Sequence, residues 1–283
     1  MRNNIYISTV AFSKEGITNI IDKAREEQLN IEFSSGLPFH ENMVDIFLQA
    51  PLRKLPHNYF PAPLNPFVLN LASTEKEIRE KSVKMCKNGI LYAAAGKCNF
   101  YAAHAGFCID PLPGELGGKI KVKSSYDKEA HWAIFKNSIF DILVLAEQNN
   151  INFLIENNVI IASNMMENGD NPLFCCTSSE ILQLVSEINH PLFGILLDTA
   201  HLKVSCKTLG LDKHTEMQNL LPVIKAMHHS DNDSFADTNS KITTSYWCAK
   251  FLPQCKQLDH VIEVKNIAVE EIHEQENLLF NFF

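Results

Sequence analysis

The chain has 283 residues, of which 46% are hydrophobic and 20% are charged. These proportions are typical of globular proteins, so they exclude collagen-like, coiled-coil and largely disordered chains. The formal net charge of −8 argues against nucleic acid as a partner, because no general positive charge attracts phosphates. The sequence has no apolar run of the roughly 20 residues needed to span a membrane, and its first residues make a poor signal peptide. We therefore expect a soluble cytoplasmic protein with no membrane partner.

The eight cysteines are expected to be free and mostly buried. They include no Cys-x-x-Cys pair, and Cys175 and Cys176 are adjacent, which suits neither a zinc knuckle nor a thioredoxin-like motif. A chain of this length also forms a core without needing disulfide bonds.

Short apolar segments rich in β-branched and aromatic residues recur along the chain and predict strands covered on both faces. They are 5–12, 29–35, 66–73, 98–106, 151–158, 193–201, 223–231 and 260–266. The proline-rich stretch 38–66 is the least regular, and we expect the third strand around Leu55 to Phe60 within it. The segment 66–73 then leads into the next helix.

Segments with helical periodicity lie between these strands, at 14–28, 74–95, 127–150 and 178–188. The second begins with a Thr-x-x-Glu capping box at Thr74, the third with an Asp cap and the fourth with a Ser cap. Strand and helix alternate about eight times, with about 35 residues per unit, which is the size of a βα repeat. No GxGxxG motif follows the first strand, which argues against an open dinucleotide-binding sheet. We predict an α/β protein, a (β/α)8 TIM barrel forming a single domain over residues 1–283.

Ionisable residues stand at the C-terminal ends of four later strands, and successive members are about one βα unit apart. They are Glu156, Asp198, His228 and Glu263. Equivalent positions on the strands of a parallel barrel meet at one rim, so we expect these side chains to converge. Three carboxylates and one imidazole suit one divalent ion, such as Mn²⁺, Mg²⁺, Co²⁺ or Zn²⁺. The alternative for a single carboxylate is a buried salt bridge or, for Asp198, a helix N-cap.

Four further residues are expected near the same rim. His104 ends the fourth predicted strand, and His57 lies near the end of the third. His201 follows Asp198 in the next loop or first helical turn, and Asp237 lies in the loop after strand seven. Each has a structural alternative: His57 as a turn residue, His104 as a core histidine and His201 as a surface imidazole.

The alternation of side chains along the strands, together with loop position, suggests further residues that could contact the substrate. Lys265 shares the parity of Glu263 and could point inward to contact the substrate, and Lys123 lies in the loop after strand four. Glu32 is either a structural acid inside the barrel or a substrate contact. His229 has the opposite parity to its neighbour and is expected to face the surrounding helices.

Four segments carry a resemblance to a known family. IEN at 155–157, LDTAH at 197–201, HHSD at 228–231 and IE at 262–263 resemble the xylose-isomerase-like barrel superfamily of sugar isomerases, sugar epimerases and endonuclease IV-type enzymes. The resemblance extends from about Ile31 to Ile267. It implies one divalent ion held by the four rim residues named above. It also implies that Glu156 and Glu263 exchange a proton with the substrate and that His201 contacts sugar oxygens.

The function implied is that of a metal-dependent sugar or sugar-phosphate isomerase or epimerase. Such an enzyme removes a proton next to a carbonyl, which forms an enediolate bound to the metal. The expected partner is a small sugar or sugar phosphate, with His57, His104 and Lys265 as further substrate-binding residues. A homo-oligomer is compatible with the fold. The alternatives are a polyol or sugar-acid dehydratase of the same superfamily and a non-enzymatic carbohydrate-binding barrel.

A further alternative is a metal-dependent phosphodiester hydrolase, because HNYF at 57–60, NLAS at 70–73 and HAG at 104–106 resemble the endonuclease IV branch. Enzymes of that branch hold three zinc ions and use the residues matching His57, His104 and His201, together with an Asp-x-His pair after strand seven. Here that pair reads Asp237-Thr238-Asn239. An amide is a weak zinc ligand beside imidazole, so the third ion would lose a donor. We therefore rank the hydrolase below the isomerase.

Overall fold

The computed structural model describes residues 4–12, 15–34, 36–116, 118–121 and 125–283. Eight strands form one parallel sheet in the order β3-β2-β1-β8-β7-β6-β5-β4. They are β1 (Ile5–Ser8), β2 (Ile31–Phe33), β3 (Lys54–Pro56), β4 (Phe100–His104), β5 (Asn152–Glu156), β6 (Phe193–Asp198), β7 (Ile224–His229) and β8 (Asp259–Ile262). Strand β1 pairs with both β2 and β8, so the first and the last strand of the chain are neighbours in the sheet.

Strands β3 and β4 stand at the two ends of this order and approach each other at one bridge. His57 and Ala102 form a parallel bridge, and the Asn58 N–H donates to the carbonyl of Ala102 at 2.8 Å. The sheet is therefore a nearly closed barrel, and the predicted (β/α)8 fold is confirmed.

Helices alternate with the strands along the chain. They are α1 (Ile17–Glu26), α2 (Met43–Gln49), α3 (Lys76–Ala95), α4 (Lys128–Asn149), α5 (Ser178–Ile188), α6 (Thr199–Leu209), α7 (Lys213–Leu220), α8 (Leu252–Cys255) and α9 (Val269–Phe280). Short 3-10 turns occur at Thr9–Phe12, Pro113–Glu115, Ala162–Asn164 and Ala249–Phe251. Within the described ranges, no helix combines the length and the apolar character needed to cross a bilayer.

Local signals in the sequence predicted the helix starts unequally well. The Asp127 carboxylate accepts from the N–H groups of Glu129 and Ala130, so the predicted cap of α4 is confirmed. The predicted capping box at Thr74 is wrong: α3 begins at Lys76, and the Ser73 hydroxyl accepts from the N–H of Glu75. Helix α5 is capped by Thr177, one residue before the predicted Ser.

The apolar segment 66–73 contains no strand. Its backbone is instead tied to the loop after β4 by the side chain of Asn70, whose amide donates to the carbonyls of Phe107 and Ile109 at 3.1 and 3.0 Å. The Asn70 side-chain oxygen accepts from the N–H of Ala72 at 3.0 Å. Side-chain hydrogen bonds thus replace a sheet ladder in this segment.

The core has two parts. The larger lies between the strands and the helices, and all six residues of β6 are buried, as expected for a strand covered on both faces. A smaller apolar cluster is built by the loops that follow the C-terminal ends of the strands. It contains Val68, Phe107, Ile109, Ile120, Ile160, Leu173 and Cys176. All eight cysteines are free and buried, as predicted.

Candidate active site

The C-terminal ends of four neighbouring strands bring the predicted metal ligands together. Glu156 and Asp198 are the last residues of β5 and β6, His228 is the penultimate residue of β7, and Glu263 directly follows β8. One ligand atom from each of these four side chains lies within 4.8 Å of the others. The convergence follows from the strand register, in which Asp198 pairs directly with His228.

The imidazole of His228 lies at the centre of this group. Its Nδ1 is 2.9 Å from Glu263 Oε2, 3.3 Å from Glu156 Oε1 and 3.9 Å from Asp198 Oδ2. Its Nε2 lies 2.9 Å from Glu32 Oε2 on the far side of the ring. A neutral imidazole that donates Nε2–H to Glu32 keeps a lone pair on Nδ1 for a metal ion. His228 therefore has the two-sided environment that a ligating histidine needs.

Asp198 has one oxygen occupied and one available. Its Oδ1 accepts from the N–H of His201 at 2.8 Å and so caps α6, which confirms the N-cap alternative for this residue. Its buried Oδ2 has no hydrogen-bond partner among the described residues, although it lies near Nδ1 of His228. A buried acceptor without a partner is rare, and a bound cation would satisfy it. The four residues thus fit a divalent ion both by donor type and by this available oxygen.

Burial and the neighbouring charged groups shift the pKa values of two carboxylates in the ligand group. Burial, together with the neighbouring carboxylates Asp237, Glu156 and Glu263, raises the pKa of Asp198 to about 7, although His201 opposes this. For Glu156 burial also raises the pKa, but the histidines His104, His57 and His228 outweigh burial and hold it well below its ordinary range. A divalent ion would relieve the repulsion between the three carboxylates of the ligand group.

His57 and His104 contact the second oxygen of Glu156. The distances from His57 Nε2 and His104 Nε2 to Glu156 Oε2 are 2.8 and 3.1 Å. These three residues form a second group whose ligand atoms lie within 4.8 Å of one another. Burial lowers the pKa of His104 to about 4, despite the opposing effect of Glu156. His57 and His104 are therefore neither turn nor remote core residues but neighbours of the predicted ligands.

His201 connects the ligand group to the loop after β7. Its Nδ1 donates to the carbonyl of Asn157 at 2.8 Å, and its Nε2 lies 3.3 Å from Asp237 Oδ2. Burial lowers the pKa of His201, but Asp198 and Asp237 outweigh it and raise the pKa well above its ordinary value. Asn239, two residues after Asp237, has a positive φ of 47°, and its carbonyl accepts from the N–H of Lys265 at 3.0 Å.

The remaining candidates lie in different places. Lys265 is exposed in the loop beyond β8, which ends at Ile262, so strand alternation does not determine where its side chain points. Lys123 lies outside the described residues. His229 contacts residues outside the candidate ligand group: its Nδ1 is 3.1 Å from the hydroxyl of Tyr246, in the loop after β7, and its Nε2 is 2.8 Å from Nδ1 of His260.

Sequence reasoning gave no role to Asn157 and left that of Glu32 open. The Asn157 side chain accepts from the N–H of Asp198 at 2.7 Å and donates to the carbonyl of Asp198 at 3.1 Å, so it fixes the backbone of a predicted ligand. Glu32 is fully buried inside the barrel and contacts His228. The sequence did offer a signal for both residues: Glu32 is a polar residue within an otherwise apolar strand, and Asn157 directly follows such a strand.

A cavity of about 420 Å³ opens beside this group of residues. Its polar end is bounded by His104, His201 and Asp237, which contact or neighbour the candidate ligands, so the cavity adjoins the ligand group. Cavities of this size hold small molecules. A small molecule in the cavity would therefore lie next to the candidate ligand group, which contains two glutamates.

Comparisons with known proteins agree with this architecture. A family model described as a xylose isomerase-like TIM barrel matches residues 49–259. No curated protein sequence matches the chain significantly. Among solved structures, a D-tagatose 3-epimerase-like protein superposes with a TM-score of 0.73 at 18% identity, covering 99% of this chain and 96% of that one.

Two further structures are similar at lower identity. A 3-keto-D-glucoside 4-epimerase from E. coli gives a TM-score of 0.67 at 11% identity and covers 99% of this chain and 98% of that one. A protein from Thermus thermophilus, soaked with ZnCl2, gives 0.66 at 12% identity, with 98% of each chain covered. At these identities the likeness concerns the fold. Because the family model covers most of the sequence, the chain belongs to the xylose isomerase-like TIM-barrel family.

Proposed function

We propose that the chain is a divalent-metal-dependent isomerase or epimerase of a small sugar or sugar phosphate. The observation that carries the proposal is the convergence of Glu156, Asp198, His228 and Glu263, whose ligand atoms lie within 4.8 Å of one another. Their neighbours His104, His201 and Asp237 line an adjacent cavity. Two carboxylates in such a group can serve as acid and base on one substrate. The similarity to a D-tagatose 3-epimerase-like protein and to a 3-keto-D-glucoside 4-epimerase supports the same class of reaction.

The four converging residues would hold the ion, which could be Mn²⁺, Mg²⁺, Co²⁺ or Zn²⁺. When bound, a divalent ion supplies Lewis-acid polarisation of a substrate carbonyl, which acidifies the neighbouring C–H. Asp198 contributes its unpartnered Oδ2, and His228 contributes the nitrogen that faces the carboxylates. Glu32 and Asn157 hold these two ligands in place from outside the group.

Glu156 and Glu263 would carry out the proton transfer. One removes the proton next to the carbonyl, and the other returns a proton to the product. The surrounding histidines keep Glu156 ionised, which is the form that accepts a proton. Glu263, whose side chain is 15% exposed, approaches His228 from the neighbouring strand end.

The residues around the cavity would bind and orient the sugar. His104 and His201 line its polar end, and their imidazoles can hydrogen-bond sugar hydroxyls. His57 lies behind them against Glu156 and would hold that carboxylate in position as well as contact substrate. Lys265, exposed in the loop beyond β8, remains a proposed substrate contact.

Hydrogen exchange tests the proposal directly. The protein loaded with Mn²⁺ is incubated in deuterated water with a panel of ketoses and aldoses, and the sugars are analysed by NMR. We expect exchange of one carbon-bound hydrogen in the matching sugar, because the abstracted proton passes to solvent when its return is slow. The exchange should be lost in Glu156→Gln and kept in Glu147→Gln, which changes an exposed residue of α4. The absence of exchange on every sugar would contradict the proposal.

One observation favours a second candidate, a phosphodiester hydrolase. His57, His104 and Glu156 form the second group of potential ligands, next to the first. Against this candidate, Asn239 stands where a third ion would need an imidazole, and the chain is acidic. Incision of an abasic-site duplex by the zinc-loaded protein, together with no exchange on any sugar, would reverse the ranking.

A further inference from the structure

The cavity beside the candidate ligands has two chemically different ends. The end next to the ligands is polar, with His104, His201 and Asp237 in its wall. The rest of the wall is mainly apolar side chains of the loops after β3, β4 and β5, among them Leu69, Phe107, Leu116, Ile120, Ile161 and Leu173. A small molecule with one part at the polar end would therefore place its remaining part against the apolar side chains of the wall.

This apolar wall is held in place by the fold. Phe107, Ile120 and Leu173 are buried and belong to the smaller apolar cluster. The side chain of Asn164 joins two of the loops: its oxygen accepts from the N–H of Ile120 at 2.9 Å, and its amide donates to the carbonyl of Gly118 at 3.0 Å. The wall is thus built by packing and hydrogen bonds in the protein itself, as in preformed ligand cavities.

Apart from the imidazoles of its polar end, the cavity offers no cationic side chain to an anionic group among the described residues. Among the described residues that line it, no side chain is a lysine or an arginine, and two carry carboxylates, Glu115 and Asp237. The carboxylate of Glu115 is occupied by the loop, since it accepts from the N–H groups of Leu112 and Lys121 at 2.9 and 3.2 Å. Lys121 itself has an exposed side chain and does not line the cavity.

The polar end calls for hydrogen-bond donors. Asp237 Oδ1 is buried and has no hydrogen-bond partner among the described residues. A sugar hydroxyl can donate to it, whereas a phosphate offers only acceptors and negative charge at neutral pH. Beside Asp237 the cavity therefore favours a hydroxyl over a phosphate group.

We propose that the substrate is a neutral carbohydrate with an apolar substituent, and that the substituent occupies the apolar part of the cavity. A phosphate in that part of the cavity would face apolar side chains, with no lysine or arginine among the described lining residues. This inference rests on the proposed function and narrows its substrate class, since the carbohydrate is the part that reaches Glu156 and Glu263.

Matched ligands test the inference by isothermal titration of the Mn²⁺-loaded protein. D-Glucose, D-galactose and D-mannose are each compared as the free sugar, the phenyl glycoside and the 6-phosphate. We expect the phenyl glycoside to bind about tenfold or more tightly than the free sugar, because its ring leaves water for hydrocarbon. The 6-phosphate should bind no better than the free sugar.

Two leucines of one loop provide a variant and its control. Leu116 lines the cavity and is 42% exposed, whereas Leu112 is 65% exposed and does not line it. Leu116→Asp should abolish the gain from the phenyl group, and Leu112→Asp should leave it unchanged. Because both side chains are exposed, neither substitution should unfold the protein. Leu116→Lys should increase the affinity for the 6-phosphates.

Several results would overturn the inference. They are tighter binding of a 6-phosphate than of the phenyl glycoside by the unchanged protein, no gain from the phenyl group on any sugar, and an equal loss of that gain in both leucine variants. Failure of the proposed function has a different signature, namely no hydrogen exchange on any sugar while the phenyl glycosides still bind more tightly. The two proposals can therefore fail separately.

Discussion

Glu32 Oε2 lies 2.9 Å from His228 Nε2, on the opposite side of the imidazole from the three carboxylates of the candidate metal site. Both side chains are fully buried, so no water competes for this contact. For His228 burial lowers the pKa, but Glu32 and the site carboxylates outweigh it and raise the pKa well above its ordinary value. If an ion bound at Nδ1, the contact with Glu32 would keep the remaining ring hydrogen on Nε2.

The first prediction concerns this pair. Glu32→Ala should weaken Mn²⁺ binding by about 10- to 100-fold, which is the usual cost of removing such a partner of a ligating histidine. Glu32→Gln retains an oxygen that can accept from Nε2–H, so its loss should be smaller. Titration against a chelating dye measures both affinities, and circular dichroism checks the fold. If Glu32→Ala binds the ion as tightly as the unchanged protein, Glu32 does not position His228.

The second prediction separates the two roles of Asp198. Asp198→Asn and Asp198→Ala should both lose tightly bound metal, because each removes the charged Oδ2. Asparagine can still cap α6 through its side-chain oxygen, whereas alanine cannot, and a lost cap costs about 1 kcal/mol. Urea denaturation of the metal-free proteins should therefore show Asp198→Ala as the less stable of the two. Stoichiometric metal retained by Asp198→Asn would mean that the ligands differ from those proposed.

The four ligand candidates could be predicted from sequence because a strand end is a strong positional signal. Glu156 and Asp198 terminate long apolar strands, and parallel register brings such ends together. The same logic fails beyond the strands. Lys265 follows the last residue of β8, where alternation no longer applies. Strand β3 is only three residues long and lies in a proline-rich stretch, so no hydrophobic pattern marked its bounds in the sequence.

The contacts of Glu32 and the cavity wall were beyond sequence reasoning for another reason. Glu32 meets His228 across the barrel interior, and the two are far apart in the chain. The cavity wall is joined by contacts between separate loops, such as the hydrogen bond from Ile120 to Asn164. Local periodicity contains no information about which loops meet.

The third prediction is a pH dependence of stability that arises outside the metal site. His260 is buried between His229 and Phe283, and burial lowers its pKa to about 4, although the carbonyl of Cys255 opposes this. Since the pKa in the folded state lies below the ordinary value of 6.5, folding favours the neutral ring. This contribution is fully present above pH 6.5 and is lost as the pH falls towards 4. It amounts to about 3 kcal/mol.

The variant His260→Gln isolates this contribution, because glutamine can donate and accept hydrogen bonds but does not titrate in this range. Between pH 7 and pH 4, the free energy of unfolding should fall less steeply for His260→Gln than for the unchanged protein. His40→Gln, at an exposed position of the loop before α2, serves as the control and should retain the full slope. Equal slopes for all three proteins would show that His260 does not contribute.

The fourth prediction concerns the number of ions and the role of His104. We expect one tightly bound Mn²⁺ per chain, held by the group that contains Asp198 and Glu263. His104 contacts Glu156 at 3.1 Å but lies outside that group and lines the cavity. His104→Gln should therefore keep the single ion while raising the KM for the sugar that undergoes exchange, because a substrate hydrogen bond is lost. Elemental analysis of the dialysed proteins measures the first quantity, and initial rates of hydrogen exchange measure the second. A hydrolase with several ions would give a different result, because the unchanged protein would hold two or more equivalents of metal. His104→Gln would then lose one equivalent, since His104 would be a ligand of the second ion together with His57 and Glu156.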